Sequence, residues 1–159
     1  LPGVGSFGHA IEQLINLNLY NPIIELITNG QPFLAICIGL QLCFESSEES
    51  PGVKGLSVFK GKVKKFVSDK SLSIPQIGWN NVEIKNDTFK DFDNKYFYFV
   101  HSFYVEPKDT SIVLSTTDYG IEYVSSVIKD NIIATQFHPE KSGKDGLAFL
   151  EKVMAYFKI

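Results

Sequence analysis

The apolar residues of this chain fall into three textures. From His9 to Leu19, Ile11, Leu14, Ile15 and Leu19 recur at helical spacing. Asn21-Pro22 opens a second short helix through Ile23, Ile24, Leu26 and Ile27, closed by Asn29-Gly30. Phe33 to Ile36 is an unbroken apolar run of strand length, and Leu40 to Phe44 restarts a helical pattern that is predicted to reach about Ser47. From Gly55 to Asn86 apolar residues are scattered among lysines and glycines, which predicts strands and turns, with Lys60, Lys62, Lys64 and Lys65 on an exposed strand face. Within that stretch, Ile74 to Asn81 reads as a polar–aromatic loop and Val82 to Ile84 as a short strand. Asp87 to Asn94 reads as a polar connection.

The third texture is β-rich. Tyr96 to Val100 runs into His101-Ser102-Phe103-Tyr104, and Ile112–Thr116, Ile121–Ile128 and Ile132–Gln136 follow as strands, with turns at Asp118-Tyr119-Gly120 and Lys129-Asp130-Asn131. Gly143 to Phe157 closes the chain as an amphipathic helix through Leu147, Phe149, Leu150, Val153 and Phe157. An apolar strand flanked by helices argues for an α/β domain with a central parallel sheet, to which the middle strands add antiparallel pairing. Length suits a single domain over residues 1–159.

Cys37 stands where the Phe33–Ile36 strand meets the following helix, with Ala35 and Gly39 two positions either side. A nucleophile on a tight strand-to-helix turn needs small neighbours there, because the backbone folds back on itself. The helix would point its N-terminal dipole at the sulfur and favour thiolate. A lone cysteine at the end of an apolar strand is more often core, so on this evidence alone Cys37 is either. The second cysteine, Cys43, lies between Leu42 and Phe44 without small neighbours and reads as packing.

Composition narrows the chemistry. The net charge is −3 and all 15 basic residues are lysine, so neither a basic nucleic-acid surface nor a bidentate arginine clamp for phosphate is present. Two cysteines six residues apart suggest no disulfide framework, and no apolar run is long enough to span a membrane. A reducing cytoplasm is the expected compartment, and neither metal nor organic cofactor is called for. The chain opens on Leu1-Pro2-Gly3, without Met and without a leading strand, as though a preceding piece were missing.

A cysteine nucleophile needs a base and the base an orienting group. His9 reads as a surface residue; His101, at a strand end, is as consistent with a structural hydrogen bond as with function. In Gln136-Phe137-His138-Pro139-Glu140, positions 138 and 140 share a face in extended backbone and Pro139 stiffens the pair. His138 could instead merely cap its strand. If it is the base, Glu140 steadies the imidazole and Cys37 attacks. The N–H of Ile38 and the Val4-Gly5 backbone of the glycine-rich opening loop are candidate oxyanion donors.

Taken together, Pro-Gly-Val-Gly-Ser-Phe-Gly (2–8), Cys37-Ile38-Gly39-Leu40-Gln41 and His138-Pro139-Glu140 resemble the class I (triad) glutamine amidotransferases. Phe44-Glu45-Ser46-Ser47-Glu48-Glu49, Ile77-Gly78-Trp79-Asn80, Val100-His101-Ser102-Phe103-Tyr104 and the residues through Gly143 resemble, within that family, the glutaminase subunits of imidazole glycerol phosphate synthases. The resemblance implies a flavodoxin-like fold with a mostly parallel central sheet and an N-terminal strand-helix-strand not seen here. It implies hydrolysis of L-glutamine by Cys37, His138 and Glu140, and ammonia delivery to a (β/α)8-barrel cyclase subunit in a heterodimer of histidine biosynthesis. It also implies an oxyanion hole at Val4, Gly5 and Ile38. Glutamine contacts would come from Gly5, Ile38, Gln41, Glu49, Ser102 and Phe103, and a partner face from Trp79, Asn80 and Lys141. No cofactor, nucleic acid or membrane is implied. A paralogous subunit for surface-polysaccharide sugar modification, a γ-glutamyl peptidase and a catalytically dead binding fragment remain as alternatives. Without its leading strands, the opening loop is expected to lack an anchor.

Overall fold

A computed structural model describes residues 1–67 and 72–159; the part of the expected strand-and-turn region at 68–71 lies outside the described residues. Helix α1 spans Phe7–Asn16 and buries Phe7, Ile11 and Leu14, one stripe of its surface. Ile15 and Leu19, also apolar, are 55% and 44% exposed, so the buried stripe is narrower than the sequence pattern. The cap of α1 comes from elsewhere: Ser6 makes no side-chain bond, and Glu49 Oε2 accepts from Phe7 N at 2.7 Å while Ser50 Oγ accepts from Gly8 N at 3.0 Å. Helix α2 spans Tyr20–Thr28 and strand β1 Phe33–Ile36.

Helix α3 is only Ile38–Leu42, not the longer element that the sequence predicts. Tertiary hydrogen bonds end it. The carbonyls of Leu42, Cys43 and Phe44 accept from Leu56, Phe59 and Ser57 rather than from a continuing helix. The chain then passes through β2 (Ser46–Ser47) and β3 (Gly61–Lys65). In β3, Gly61 and Val63 are buried and Lys62 is exposed by alternation, but Lys64 is half-buried and Lys65, at the strand end, is exposed out of phase, so the expected lysine face forms only in part.

The expected loop at Ile74 to Asn81 is mostly strand. β4 (Gln76–Asn81) pairs antiparallel with β6 (Tyr96–His101), Trp79 opposite Tyr98. β5 is Glu83–Ile84, β7 Phe103–Pro107, β8 Val113–Asp118, β9 Glu122–Lys129 and β10 Ile132–Thr135. The stretch expected as a polar connection holds a 3₁₀ helix, Asp87–Phe92, because Phe89 and Phe92 turn inward and are buried. Helix α4, Gly143–Phe157, matches its prediction, except that Leu147 points out and is 60% exposed.

The architecture is α/β. The main sheet runs β1-β10-β9-β7-β3-β2, with β8 against β9 and β5 against β8. β1 with β10 and β2 with β3 are parallel; the remaining pairings of the described residues are antiparallel. Strand β10 is buried throughout, as expected for a strand covered on both faces. On one face, Phe7, Ile11, Leu14 and Ile27 of α1 and α2 pack against Ala35, Leu40 and Phe44. On the other, Phe89, Phe92, Phe97, Phe99, Phe137 and Phe149 form a phenylalanine cluster, with Phe97 and Phe137 stacked at 4.3 Å between ring centroids.

That cluster lies directly beneath the segment carrying His138. Phe149→Ala is expected to lower the unfolding free energy by about 3–5 kcal/mol, measured by chemical denaturation. An unchanged midpoint would show that the cluster does not hold α4 to the sheet.

Candidate active site

The site begins with the parallel ladder of β1 and β10, which sets Ile36 beside Thr135. One residue on, Cys37 N donates to Thr135 O at 2.7 Å and the chain leaves the sheet. Cys37 has φ 56° and ψ −109°, left-handed backbone unusual for a residue with a side chain. The small-neighbour reading holds in detail. A Cβ on Gly39 would stand 2.1 Å from Leu1 O and 3.3 Å from Ala35 Cβ.

The opening loop is anchored, contrary to expectation. Leu1 N donates to Leu34 O at 2.6 Å and Ile36 N to Leu1 O at 3.1 Å, a parallel-type pairing onto β1. From there the loop crosses Ile38, against whose Cγ2 a Cβ on Gly3 would press at 2.8 Å. Gly5 takes φ +115°, open to glycine and strained for other residues.

A pocket of about 270 Å³ lies between this loop and the elbow, walled by Val4, Gly5, Cys37, Ile38, Gln41 and Glu49. The segment from Val100 to Phe103 closes the opposite wall, together with Pro75. The loop, the elbow, Glu49 and the Ser102-Phe103 pair thus come together as predicted. His138 and Glu140 are not among the residues that line it, although Glu140 is near enough for its charge to act on the Cys37 thiol.

His138 is fixed from several sides. Its N–H donates to Tyr98 O at 2.9 Å, and its carbonyl accepts from Ser142 Oγ at 2.6 Å. Its Nδ1 meets Glu140 Oε1 at 2.7 Å, the contact expected for an oriented imidazole. Its Nε2 is buried and has no hydrogen-bond partner among the described residues. Ser142, which also accepts from Tyr98 N at 3.0 Å, escaped the sequence reading. Its place two residues past the His-x-Glu pair is the signal that could have found it.

The Cys37 thiol does not meet His138 Nε2. It donates to Val100 O at a long 3.9 Å and accepts from Gln136 Nε2 at 3.6 Å. Burial pushes the thiol pKa up to about 11, against the Ile38 N–H and the Gln136 amide, which pull it down; Glu140 nearby raises it and Lys141 lowers it. The expected thiolate-favouring helix dipole is outweighed by desolvation, because α3 is a five-residue helix. Cys43 is wholly buried, as predicted.

The other histidines separate cleanly. His101 is buried, with Nδ1 against Phe103 O at 2.8 Å and Nε2 against the Tyr123 hydroxyl at 3.2 Å, and desolvation brings its pKa down to about 4. It is a neutral structural histidine at ordinary pH. His9 lies on the surface of α1, beside Glu12 at 3.7 Å.

Trp79 is 56% exposed and meets the Tyr98 ring edge-on at 6.2 Å. Asn80 Nδ2 donates to Asp118 O at 2.8 Å, and Lys141 is exposed in the turn after Glu140. Ile77 and Tyr96 add 63% and 57% exposed side chains to the same outer face of β4 and β6 as Trp79. Among the described residues no cluster of three or more His, Cys, Asp or Glu side chains could hold a metal ion, and no helix is long and apolar enough to cross a membrane.

Comparison with known proteins follows this geometry. The family model for glutamine amidotransferase class-I matches residues 1–155. The chain is 52% identical over 154 residues to the imidazole glycerol phosphate synthase subunit HisH of Pyrococcus furiosus, covering 94% of this chain and 77% of that protein. It is 49% identical to the HisH subunit of Methanocaldococcus jannaschii, covering 95% of this chain and 76% of that protein. The chain thus spans about three quarters of the length of these relatives. Among solved structures, a glutamine amidotransferase superposes with a TM-score of 0.74 at 14% identity, over 99% of this chain and 77% of that one. Another, from Thermotoga maritima, gives 0.61 at 19% identity, over 99% and 60%.

Because the thiolate is the reactive form, iodoacetamide modification of Cys37 in the resting protein is expected to be slow at neutral pH. Its rate should climb with pH toward a midpoint near 11, in step with the desolvated thiol. A plateau reached already at the pH of an ordinary free thiol would show that the sulfur is solvated, against the burial described above.

Proposed function

The chain belongs to the class-I glutamine amidotransferase family, and from that membership we propose that its residues 1–159 form one amidotransferase domain hydrolysing L-glutamine to glutamate and ammonia. Cys37 is the nucleophile, His138 the base and Glu140 the orienting carboxylate. The observation that carries this reading is the 2.7 Å His138–Glu140 contact, fixed by backbone bonds near a strained, buried Cys37 elbow.

The chemistry is acyl transfer. Cys37 Sγ gives its proton to His138 Nε2 and attacks the side-chain amide carbon of glutamine. The negative charge on the carbonyl oxygen is met by Ile38 N–H and by the backbone of Val4 and Gly5. The proton passes from His138 to the leaving nitrogen, which departs as ammonia and leaves a thioester on Cys37. Water then gives a proton to His138 and attacks the thioester, releasing glutamate, and the returned proton restores the thiol. Gly5, Ile38, Gln41, Glu49, Ser102 and Phe103 hold the glutamine at the pocket mouth. Arming the site requires the sulfur to leave Val100 O for His138 Nε2, whose lone partner position is otherwise empty among the described residues.

Relatives named as imidazole glycerol phosphate synthase subunits support a place in that complex. The partner is a (β/α)8-barrel cyclase subunit, which takes the ammonia and binds the phosphorylated substrate; a chain without arginine leaves that anion to its partner. The partner covers the exposed aromatic face of β4 and β6, with Trp79 and Lys141 at the contact; Asn80, opposite Phe97, is directed to the other face and bonds Asp118 O. An apolar, aromatic patch of this kind is what an interface buries. A reducing cytoplasm is where a free Cys37 thiol persists.

Cys37→Ala is expected to abolish glutamine-dependent synthesis by the complex while ammonia-dependent synthesis continues. His138→Asn is expected to cost several orders of magnitude in glutamine hydrolysis, since a triad acts as a unit. Glutamine turnover unchanged in either variant removes the mechanism. Trp79→Ala is expected to weaken the complex about tenfold or more, as loss of an aromatic anchor does; titration calorimetry with the cyclase subunit reads this directly.

A further inference from the structure

We propose that Gln136 is a further residue of the glutaminase reaction, its side-chain amide N–H donating to the Cys37 sulfur and stabilising the thiolate as the proton leaves. The inference rests on the reading of Cys37 as nucleophile and names a group outside the triad.

The orientation of the amide follows from its partners. Phe103 O, a carbonyl, can only accept, so the Gln41 atom 3.1 Å from it is the donor Nε2. The same Nε2 lies 3.1 Å from the Gln136 amide, which must therefore present its oxygen there. That leaves Gln136 Nε2 facing Cys37 Sγ at 3.6 Å, as a donor. The opposite flip would oppose two NH₂ groups. Three segments are thus joined in one relay: the Phe103 carbonyl of the pocket wall, Gln41 of α3, and the nucleophile.

Burial makes the arrangement informative. Gln136 is wholly buried, between Thr135 and Phe137, and its backbone N–H is already satisfied by Ser125 O at 2.8 Å. Its side-chain amide has only Gln41 and Cys37 as partners among the described residues. An amide in such a place costs stability relative to an apolar side chain unless its groups are paired. A neutral thiol is a weak acceptor and offsets little of that cost. A thiolate accepts a charge-assisted bond, roughly twice as strong as a neutral one. The Nε2 donor is therefore placed where charge develops, and its effect is larger in the activated site than in the resting one.

The test uses the full-length protein in complex with its cyclase partner, as wild type, Gln136→Glu and Gln136→Met. Gln136→Glu keeps an acceptor for Gln41 and puts a carboxylate oxygen without a hydrogen toward the sulfur. Gln136→Met keeps the length and removes both polar contacts. Iodoacetamide modification is followed at the Cys37 peptide by mass spectrometry, which separates it from Cys43, across pH. In both variants the rate of Cys37 alkylation below about pH 9 is expected to fall about 10- to 100-fold, the span of a hydrogen bond to a charged group. Glutamine kcat should fall about 10- to 100-fold at neutral pH, while KM stays within about threefold.

A wild-type rate of Cys37 alkylation in the variants overturns the inference. So does loss of ammonia-dependent synthesis in both variants, which would assign Gln136 to the fold alone. Wild-type protein that alkylates normally at Cys37 yet hydrolyses no glutamine would instead overturn the functional reading. The alkylation profile would still report on Gln136.

Discussion

Parallel pairing between β1 and β10 is the constraint on which the site depends. It brings the end of one strand, Cys37, beside the end of another, Thr135, and fixes them through the 2.7 Å bond from Cys37 N to Thr135 O. The two chain ends then diverge, one into α3 and the other through Gln136 and Phe137 to His138. Active groups at the carboxyl ends of adjacent strands are what open α/β sheets offer. Everything else positions what this pairing has brought together. Leu1 docks the glycine loop along β1; the phenylalanine cluster supports the His138 segment from below; Ser142 bonds the His138 carbonyl.

The cost of this placement is a desolvated sulfur. Burial outweighs the Ile38 and Gln136 donors, and the resting thiol stays protonated, resting on a carbonyl rather than on the imidazole. The His138 imidazole is bonded on its Nδ1 side and unpaired, among the described residues, on its Nε2 side. Such an unpaired buried polar atom carries a free-energy cost that a structural histidine would not retain. His101, equally buried, has both of its nitrogens partnered. The two histidines thus differ in how completely their ring nitrogens are paired among the described residues.

Local signals made much of this legible. The Ala35-Cys37-Gly39 spacing foretold an elbow because the close approach of Leu1 O to Gly39 leaves no room for a Cβ. The His-x-Glu pair pointed to the 2.7 Å contact but not to its backbone, because Pro139–Lys141 turns as a 3₁₀ helix rather than running on as extended chain. What escaped the sequence reading was set by long-range partners. The early end of α3 is imposed by Leu56, Ser57 and Phe59, whose N–H groups take the carbonyls a longer helix would use. β4 was hidden because Ile74 to Asn81 lacks alternation; its strand form comes from pairing with β6, and its exposed Ile77 and Trp79 look like loop residues in isolation. Gln136 escaped as a functional residue because a glutamine at a strand end carries no signal until the atom it faces is known.

Strand β6 joins the outer surface to this chemistry. Its outward residues, Tyr96 and Tyr98, share a face with Ile77 and Trp79 of β4. Its inward residues, Phe97 and Phe99, lie in the aromatic core, and His101 anchors the turn to β7. Its backbone serves the site twice: Tyr98 O accepts from the His138 N–H, and Val100 O accepts from the Cys37 thiol. The bond to His138 is short at 2.9 Å and the one to the thiol is long at 3.9 Å. The long contact at Cys37 is thus made by the strand that also presents exposed aromatic residues on its outer face.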